Sequence, residues 1–275
     1  MSATENKTPL KTAVISLDIK WADVEINMRE THRLIESLDR DTDIVVLPEL
    51  FSTGFIQDPA LMEDLTERHG SGTLASIREW AASYDMAISG SLLVKENGSF
   101  YNRGFIIEPD GTSTFYDKRH LFCLSPEAKT YSHGRALPPV VNFRGWNIAL
   151  IICYDLRFPV WCRNKSHRYD MLIVPANWPQ ARGYAWKHLL IARAIENQAV
   201  VIGADRSGTD DYGNYDGLSM IIDPSGHILS PDNSGMENSG CIIQATYYRE
   251  WIMKMRDRLP VGADADWFEL TNIDQ

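Results

Sequence analysis

The stretch IALIICYDLRFP, residues 148–159, constrains the chain most strongly. Residues 148–152 are five consecutive apolar side chains, too few for a helix and suited to a buried strand. The run stops at Cys153, and Tyr154-Asp155-Leu156-Arg157-Phe158-Pro159 follows with a different character. Pro159 biases Phe158 away from the α region, so any helix here is predicted to begin at Phe158 or beyond. The pattern puts a thiol on the turn after a buried strand, with the next backbone N–H free to face a developing oxyanion. Taken alone, Cys153 reads more simply as a core thiol, because free cysteine is among the most buried residue types.

Short runs of the same kind recur along the chain. Residues 12–18 predict a strand, and 22–38 carry Val24, Met28, Ile35 and Leu38 at helical spacing. Residues 44–47 predict a strand ended by Pro48 and followed at once by Glu49. Leu74, Ile77, Trp80, Ala81 and Tyr84 mark a helix, and 86–94 returns to strand. Two hairpins are predicted, 105–107 with 114–116 and 220–222 with 228–229. Each turns on Pro, a polar residue and Gly, and one unit per half hints at an internal duplication. Residues 171–174 and 198–204 read as strands flanking a helix marked by Trp186, Leu189, Leu190 and Ala194. The glycine-punctuated segment 205–217 reads as an exposed loop, and 247–259 as a solvated or interface helix. Strands alternating with helices predict an α/β fold, and no linker divides the chain, so 1–275 is expected to form one domain.

Composition narrows the function. A net charge of -10 argues against a surface built to grip nucleic acid or anionic lipid. No apolar run reaches the length of a membrane span, and the beginning MSATENKTPLK has no apolar signal core, so no membrane is expected and a cytoplasmic location is. Cys123, Cys153, Cys162 and Cys241 lie far apart, which predicts neither disulfide staples nor a thiolate zinc site. The seven histidines show no ligand spacing, so no metal is expected.

Three polar side chains stand just past apolar strands: Glu49, Lys118 and Cys153. Strand ends on one rim are where α/β proteins assemble sites. Separately these read as a loop carboxylate, a surface charge and a core thiol. Together they supply thiol-based hydrolysis: a carboxylate to carry the proton, and an ammonium to favour the thiolate and a tetrahedral oxyanion. His120 and His188 follow no strand, so a Cys–His pair is a poor fit.

The segments LPELFSTGF (47–55), YDKRHLF (116–122) and CYDLRFP (153–159) resemble the three motif regions of the nitrilase, or carbon–nitrogen hydrolase, superfamily. The resemblance continues through PANWP (175–179) and ARAIENQ (192–198), covering a motif-bearing core of about 12–245 and leaving 246–275 as a tail. It implies a four-layer α-β-β-α sandwich that forms homodimers or larger assemblies. It implies Cys153 as nucleophile, Glu49 as general base and then acid, and Lys118 as oxyanion stabiliser, with the Tyr154 N–H completing the oxyanion hole. Glu127 falls where the family places a second glutamate that orients substrate and supports Lys118. No metal or organic cofactor is implied.

The motif variants look most like the omega-amidase branch, which removes the terminal amide of 2-oxoglutaramate or 2-oxosuccinamate. A different amidase or N-carbamoyl amidohydrolase is the alternative, and a non-catalytic scaffold the alternative of another class. Phe55, Phe122, Asn177 and Trp178 are candidate pocket walls by motif position, and Arg206 is a candidate carboxylate partner or a structural arginine. Asp155 and Arg157 read as an internal ion pair, Arg193 and Glu196 as structural, and Cys123 and Cys162 as spare thiols. One departure is Asp205-Arg206-Ser207-Gly208, where relatives often carry Asn-Arg-Val-Gly. A pocket-facing Asp205 would repel an anionic substrate.

Overall fold

The computed structural model describes residues 9–229 and 241–270. Its first half runs β1 (Pro9–Ser16), α1 (Val24–Glu36), β2 (Ile44–Val46), α2 (Pro59–Tyr84), β3 (Ala87–Glu96), β4 (Ser99–Ile107) and β5 (Ser113–Asp117). The second half begins with α3 (Glu127–Thr130), β6 (Val140–Phe143), β7 (Trp146–Leu150), β8 (Met171–Ala176) and α4 (Gly183–Asn197). It continues through β9 (Val200–Asp205), β10 (Ser207–Asp210), β11 (Gly213–Asp216), β12 (Met220–Ile222), β13 (Cys241–Tyr248) and α5 (Arg249–Arg258).

Local chemistry explains the helix starts. Asp23 caps α1 by accepting from the Ile26 N–H at 3.0 Å, and Asp58 caps α2 through Ala60 at 2.8 Å, with Pro59 in the first turn. The left-handed Asp85 (φ 51°) ends α2. This helix is far longer than the segment around 74–84 that periodicity marks. Its first half, with Gly70 and Gly72, has too weak an apolar stripe to be read as helix.

Two sheets carry the fold, in the strand orders β13-β1-β2-β3-β4-β5 and β12-β9-β8-β7-β6. They share a plan. β1, β2 and β3 are parallel and β4 antiparallel to β3; β7, β8 and β9 are parallel and β12 antiparallel to β9. Period-two alternation sorts the side chains between layers. Val14, Val46 and Ile106 face a core shared with Leu150, Ile152 and Ile202 of the other sheet. Ala13, Val45 and Ile88 face outward, where Leu34, Ile35, Ile77 and Trp80 of α1 and α2 cover them. On the far side Trp186, Leu190 and Ala194 of α4 close the second sheet. The result is the four-layer α-β-β-α sandwich.

Close approach between layers requires glycine at two places. A Cβ at Gly104 would meet Leu150 and Ile152 of the opposite sheet at 3.0 and 3.1 Å. One at Gly203 would meet Leu190 and Trp186 at 2.6 and 2.7 Å.

Several expectations change. Segment 205–217 is no exposed loop: Asp205 ends β9, Arg206 is fully buried, and β10 and β11 form a hairpin. Tyr247 belongs to β13, which pairs with β1 along its length, and α5 starts two residues later. Helix α5 is also tied down, with Ile252 buried and Arg256 donating to Asp170 at 2.8 Å. No helix waits for Phe158; a 3-10 turn begins at Cys153 itself and ends at Arg157.

Asp155 and Arg157 are not an ion pair. Fully buried Asp155 accepts from the Ile152 N–H (3.1 Å), the Tyr116 hydroxyl (2.8 Å), the His120 N–H (2.9 Å) and His120 Nδ1 (2.7 Å). One carboxylate thus ties the turn after β7 to the segment that follows β5. Replacing it with alanine strands several buried donors at once. We expect Asp155→Ala to lose about 3 kcal/mol or more of stability, read as a lower urea midpoint at an unchanged m-value.

Candidate active site

The residues at the ends of β2, β5, β7 and β8 converge on one rim of the sandwich. Pro48 ends β2 and delivers Glu49, and the left-handed Leu50 (φ 50°) donates its N–H to Ser91 Oγ at 2.9 Å. Lys118 extends the β4–β5 ladder by one rung, its N–H donating to the Asn102 carbonyl at 2.9 Å. Cys153 lies just beyond β7 with φ 44°, a left-handed conformation that is uncommon outside glycine. Strain of this kind gathers at functional sites.

The three charged side chains form a buried cluster. Lys118 Nζ donates to Glu49 Oε1 at 2.9 Å and to Glu127 Oε1 at 2.7 Å, and all three residues are at most 2% exposed. Glu49 Oε1 also accepts from Asn102 Nδ2 at 2.7 Å, and Oε2 from the Asn177 N–H at 2.8 Å. Asn177 Nδ2 donates back to the Glu49 carbonyl at 2.9 Å, so this residue clamps Glu49 from two sides. Glu127 Oε2 accepts from the Phe122 N–H at 2.6 Å.

Electrostatics follow from that packing. Burial disfavours the Lys118 ammonium, but Glu127, Glu49 and Cys153 outweigh it and hold its pKa well above the ordinary value. One ammonium faces two carboxylates, so burial leaves Glu127 raised in spite of Lys118. Burial also pushes the Cys153 thiol well up; the Glu49 carboxylate beside it adds to the rise and Lys118 opposes it. Both burial and Glu49 thus favour the Cys153 thiol over its thiolate.

A cavity of about 220 Å³ opens onto the cluster. Glu49, Lys118, Cys153, Glu127, Tyr154, Phe55, Phe122, Asn177 and Trp178, the residues singled out from the sequence, all line it. Aromatic contacts shape its walls: Tyr154 meets Phe122 edge-on at 5.2 Å, and Phe55 stacks on Tyr131 at 6.0 Å. A larger cavity of about 420 Å³ lies between α2 and the first sheet and contains none of these residues.

Eight further residues line the cavity, and four of them bear on its chemistry. Arg157 lies over the Trp178 ring at 4.8 Å and Arg182 over Phe122 at 4.9 Å. Neither has a carboxylate partner among the described residues. Gln57 lines the same cavity, with both polar atoms of its amide buried and without partners among the described residues. Tyr212, at the tip of the β10–β11 hairpin, reaches the cavity and meets Phe55 edge-on at 6.4 Å.

Arg206 is not a cavity residue. It is fully buried, donating to Asp210 Oδ2 and the Ile19 carbonyl, both at 2.7 Å, and it anchors the hairpin. Asp205 does not face the cavity either. Its Oδ1 accepts from the Trp178 N–H at 2.8 Å, and burial raises its pKa well above the ordinary value. Being outside the cavity lining, it does not stand against an anionic substrate there. His120 stacks on Phe158 at 3.7 Å and serves Asp155. Arg193 pairs with Glu196 at 2.8 Å and supports the Leu156 carbonyl. Cys162 is buried away from the cavity, its thiol pushed by burial to about 12, and Cys123 is exposed. Among the described residues no three His, Cys, Asp or Glu side chains are placed to hold a metal, and no helix is long and apolar enough to cross a membrane.

The carbon–nitrogen hydrolase family model matches residues 11–252. An omega-amidase, YafV, of Yersinia enterocolitica is 39% identical over 262 residues, 95% of this chain and 98% of its own. A 2-oxoglutaramate amidase of Bacillus subtilis is 32% identical, over 91% of this chain and 95% of its own. Among solved structures, the XC1258 protein of Xanthomonas campestris superposes with a TM-score of 0.86 at 33% identity, covering 96% of this chain and 99% of that one. That protein is a CN-hydrolase superfamily member with an arsenic adduct in its active site. Sequence motifs, layered fold and near end-to-end similarity agree: the chain belongs to the carbon–nitrogen hydrolase (nitrilase) superfamily, in its omega-amidase branch, and is a hydrolase of carbon–nitrogen bonds other than peptide bonds.

Proposed function

We propose that the chain is a cysteine-dependent omega-amidase that releases ammonia from small dicarboxylate monoamides such as 2-oxoglutaramate or 2-oxosuccinamate. The observation that carries this reading is one small cavity holding Cys153, the Glu49–Lys118–Glu127 cluster and two guanidiniums without carboxylate partners among the described residues. At about 220 Å³ the cavity favours short substrates. Arg157 and Arg182 offer an anionic end its counter-charge in a protein whose net charge is -10.

Glu49 takes the Cys153 proton as sulfur bonds to the amide carbon and the carbonyl π pair moves to oxygen. Lys118 has three N–H donors and spends two on carboxylates, leaving one for that oxyanion. The Tyr154 N–H, in the first turn after the strand, is the second donor. Collapse breaks the C–N bond, and ammonia leaves with the proton held by Glu49. Water then gives Glu49 a proton as its oxygen attacks the thioester, and collapse returns the thiolate, which takes that proton back. The sum is amide plus water to acid plus ammonia.

Pairing of two copies through the α4–α5 layer belongs to the same proposal, supported by exposed Tyr184, Ile195, Trp251 and Met253. Sedimentation would show a mass near twice 31.2 kDa.

Ammonia release is the direct test, with glutamine and an N-carbamoyl amine in parallel. The 2-oxo amide should be turned over fastest, and Cys153→Ala should lower kcat by about a thousandfold or more. Faster turnover of the carbamoyl compound would move the enzyme to another activity in the superfamily. Arg157→Met should raise KM for 2-oxoglutaramate about tenfold or more while sparing a neutral short amide.

Thiol reactivity tests the proton route. Because the Glu49 carboxylate raises the Cys153 pKa, Glu49→Gln lowers it and puts more thiolate at a given pH. Iodoacetamide should therefore label the variant faster than wild type near pH 7, although amide turnover is lost. Slower labelling would show that Glu49 acts otherwise.

A further inference from the structure

The donors around Glu49 divide unequally between its two oxygens. Among the described residues Oε1 accepts two N–H donors, Lys118 Nζ at 2.9 Å and Asn102 Nδ2 at 2.7 Å, whereas Oε2 accepts one, the Asn177 N–H at 2.8 Å. A carboxylate oxygen offers two lone-pair sites. Oε1 is therefore filled, and Oε2 keeps one site open.

Asn102 is an unexpected residue where it stands. It lies inside β4, fully buried, although asparagine is disfavoured in strands. Its Oδ1 is buried with no partner among the described residues, a destabilising arrangement. Only the other end of the amide compensates, by donating to Glu49. The adjoining peptide is committed too, since the Asn102 carbonyl accepts the Lys118 N–H.

We propose that Asn102 is a positioning residue that fills the last acceptor site on Glu49 Oε1 and so reserves Oε2 as the oxygen that carries the proton between Cys153, the leaving ammonia and water. The inference rests on Glu49 being the general base. With Asn102 in place a proton arriving on Glu49 has one open seat, and every turnover uses the same geometry. Without it Oε1 can also accept the proton, on the side turned toward Lys118 and β4.

The same donor stabilises the ionised carboxylate over its protonated form, and its loss removes that preference. Lys118, Glu127, Cys153, Asp205, Tyr131 and Tyr215 also face Glu49 from the surrounding elements. All of them are unchanged when only Asn102 is replaced. Loss of a donor to the ionised base moves the acid limb of kcat/KM to higher pH.

The test is the pH profile of kcat/KM for Asn102→Leu, which removes the donor and the orphaned Oδ1 while keeping the site dry. A neutral short primary amide is run beside the 2-oxo amide so that substrate ionisation does not enter. We expect the acid limb to rise by about one to two pH units, the worth of one hydrogen bond to a charged group. The thermal midpoint should be unchanged or higher. If the leucine variant fails to fold, Asn102→Val, a natural strand residue without a donor, carries the same expectation. A folded variant whose acid limb coincides with that of wild type overturns the proposal, whatever its absolute rate. A Glu49→Gln enzyme that still turns over amide would remove the base itself, and the proposal with it; that failure is recognised separately, without reference to Asn102.

Discussion

The site depends on one ammonium shared by two buried carboxylates. Taking three charges out of water costs several kcal/mol per ion even after relaxation. Lys118 offsets part of that by lying within 3 Å of both Glu49 and Glu127. Asn102 Nδ2 adds a second donor to Glu49 Oε1, and the other oxygens of the two carboxylates accept from the N–H groups of Asn177 and Phe122. Those donors come from a strand, the end of another strand and a loop, so the cluster reads the position of three separate elements. It gives the cavity an internal field that is set before substrate arrives.

The second constraint is the turn that presents Cys153. A non-glycine residue at φ 44° needs surroundings that over-determine it. Asp155 supplies them, binding back to Ile152 and across to Tyr116 and His120. Trp161 extends the network by donating to the Tyr116 hydroxyl at 2.9 Å. The thiol is thereby locked to the chain that carries Lys118, and the two sheets, close-packed at Gly104, keep both in register with Glu49. Burial has a chemical consequence as well. It favours the Cys153 thiol over the thiolate, which limits the idle reactivity of the sulfur.

Legibility in the sequence followed the range of the interactions. Glu49, Lys118 and Cys153 stand out because each lies just past an apolar strand, a signal carried by nearby residues. Arg157 and Asp155 were misjudged because two opposite charges two residues apart invite pairing, whereas the 3-10 turn sends them in different directions. Arg206 looked like a candidate substrate arginine in a polar loop; in the fold, strand pairing and Asp210 bury it. Asp205 looked hostile to an anion until Trp178 was found to occupy it. Asn102 and Gln57 carried no sequence signal beyond being polar residues in or near apolar segments.

The sequence by itself determined the alternation of strands and helices, the placing of Glu49, Lys118 and Cys153 at strand ends and the membership of the superfamily. These rest on periodicity, turn chemistry and short motifs, all of which are local along the chain. Only the tertiary structure decided which charges are paired, how the donors divide between the two oxygens of Glu49 and which guanidiniums line the cavity. Those properties depend on distances of a few ångströms between residues as far apart as Glu49 and Asn177. Burial then multiplies their energetic weight, because a donor or charge removed from water must find its partner within the protein.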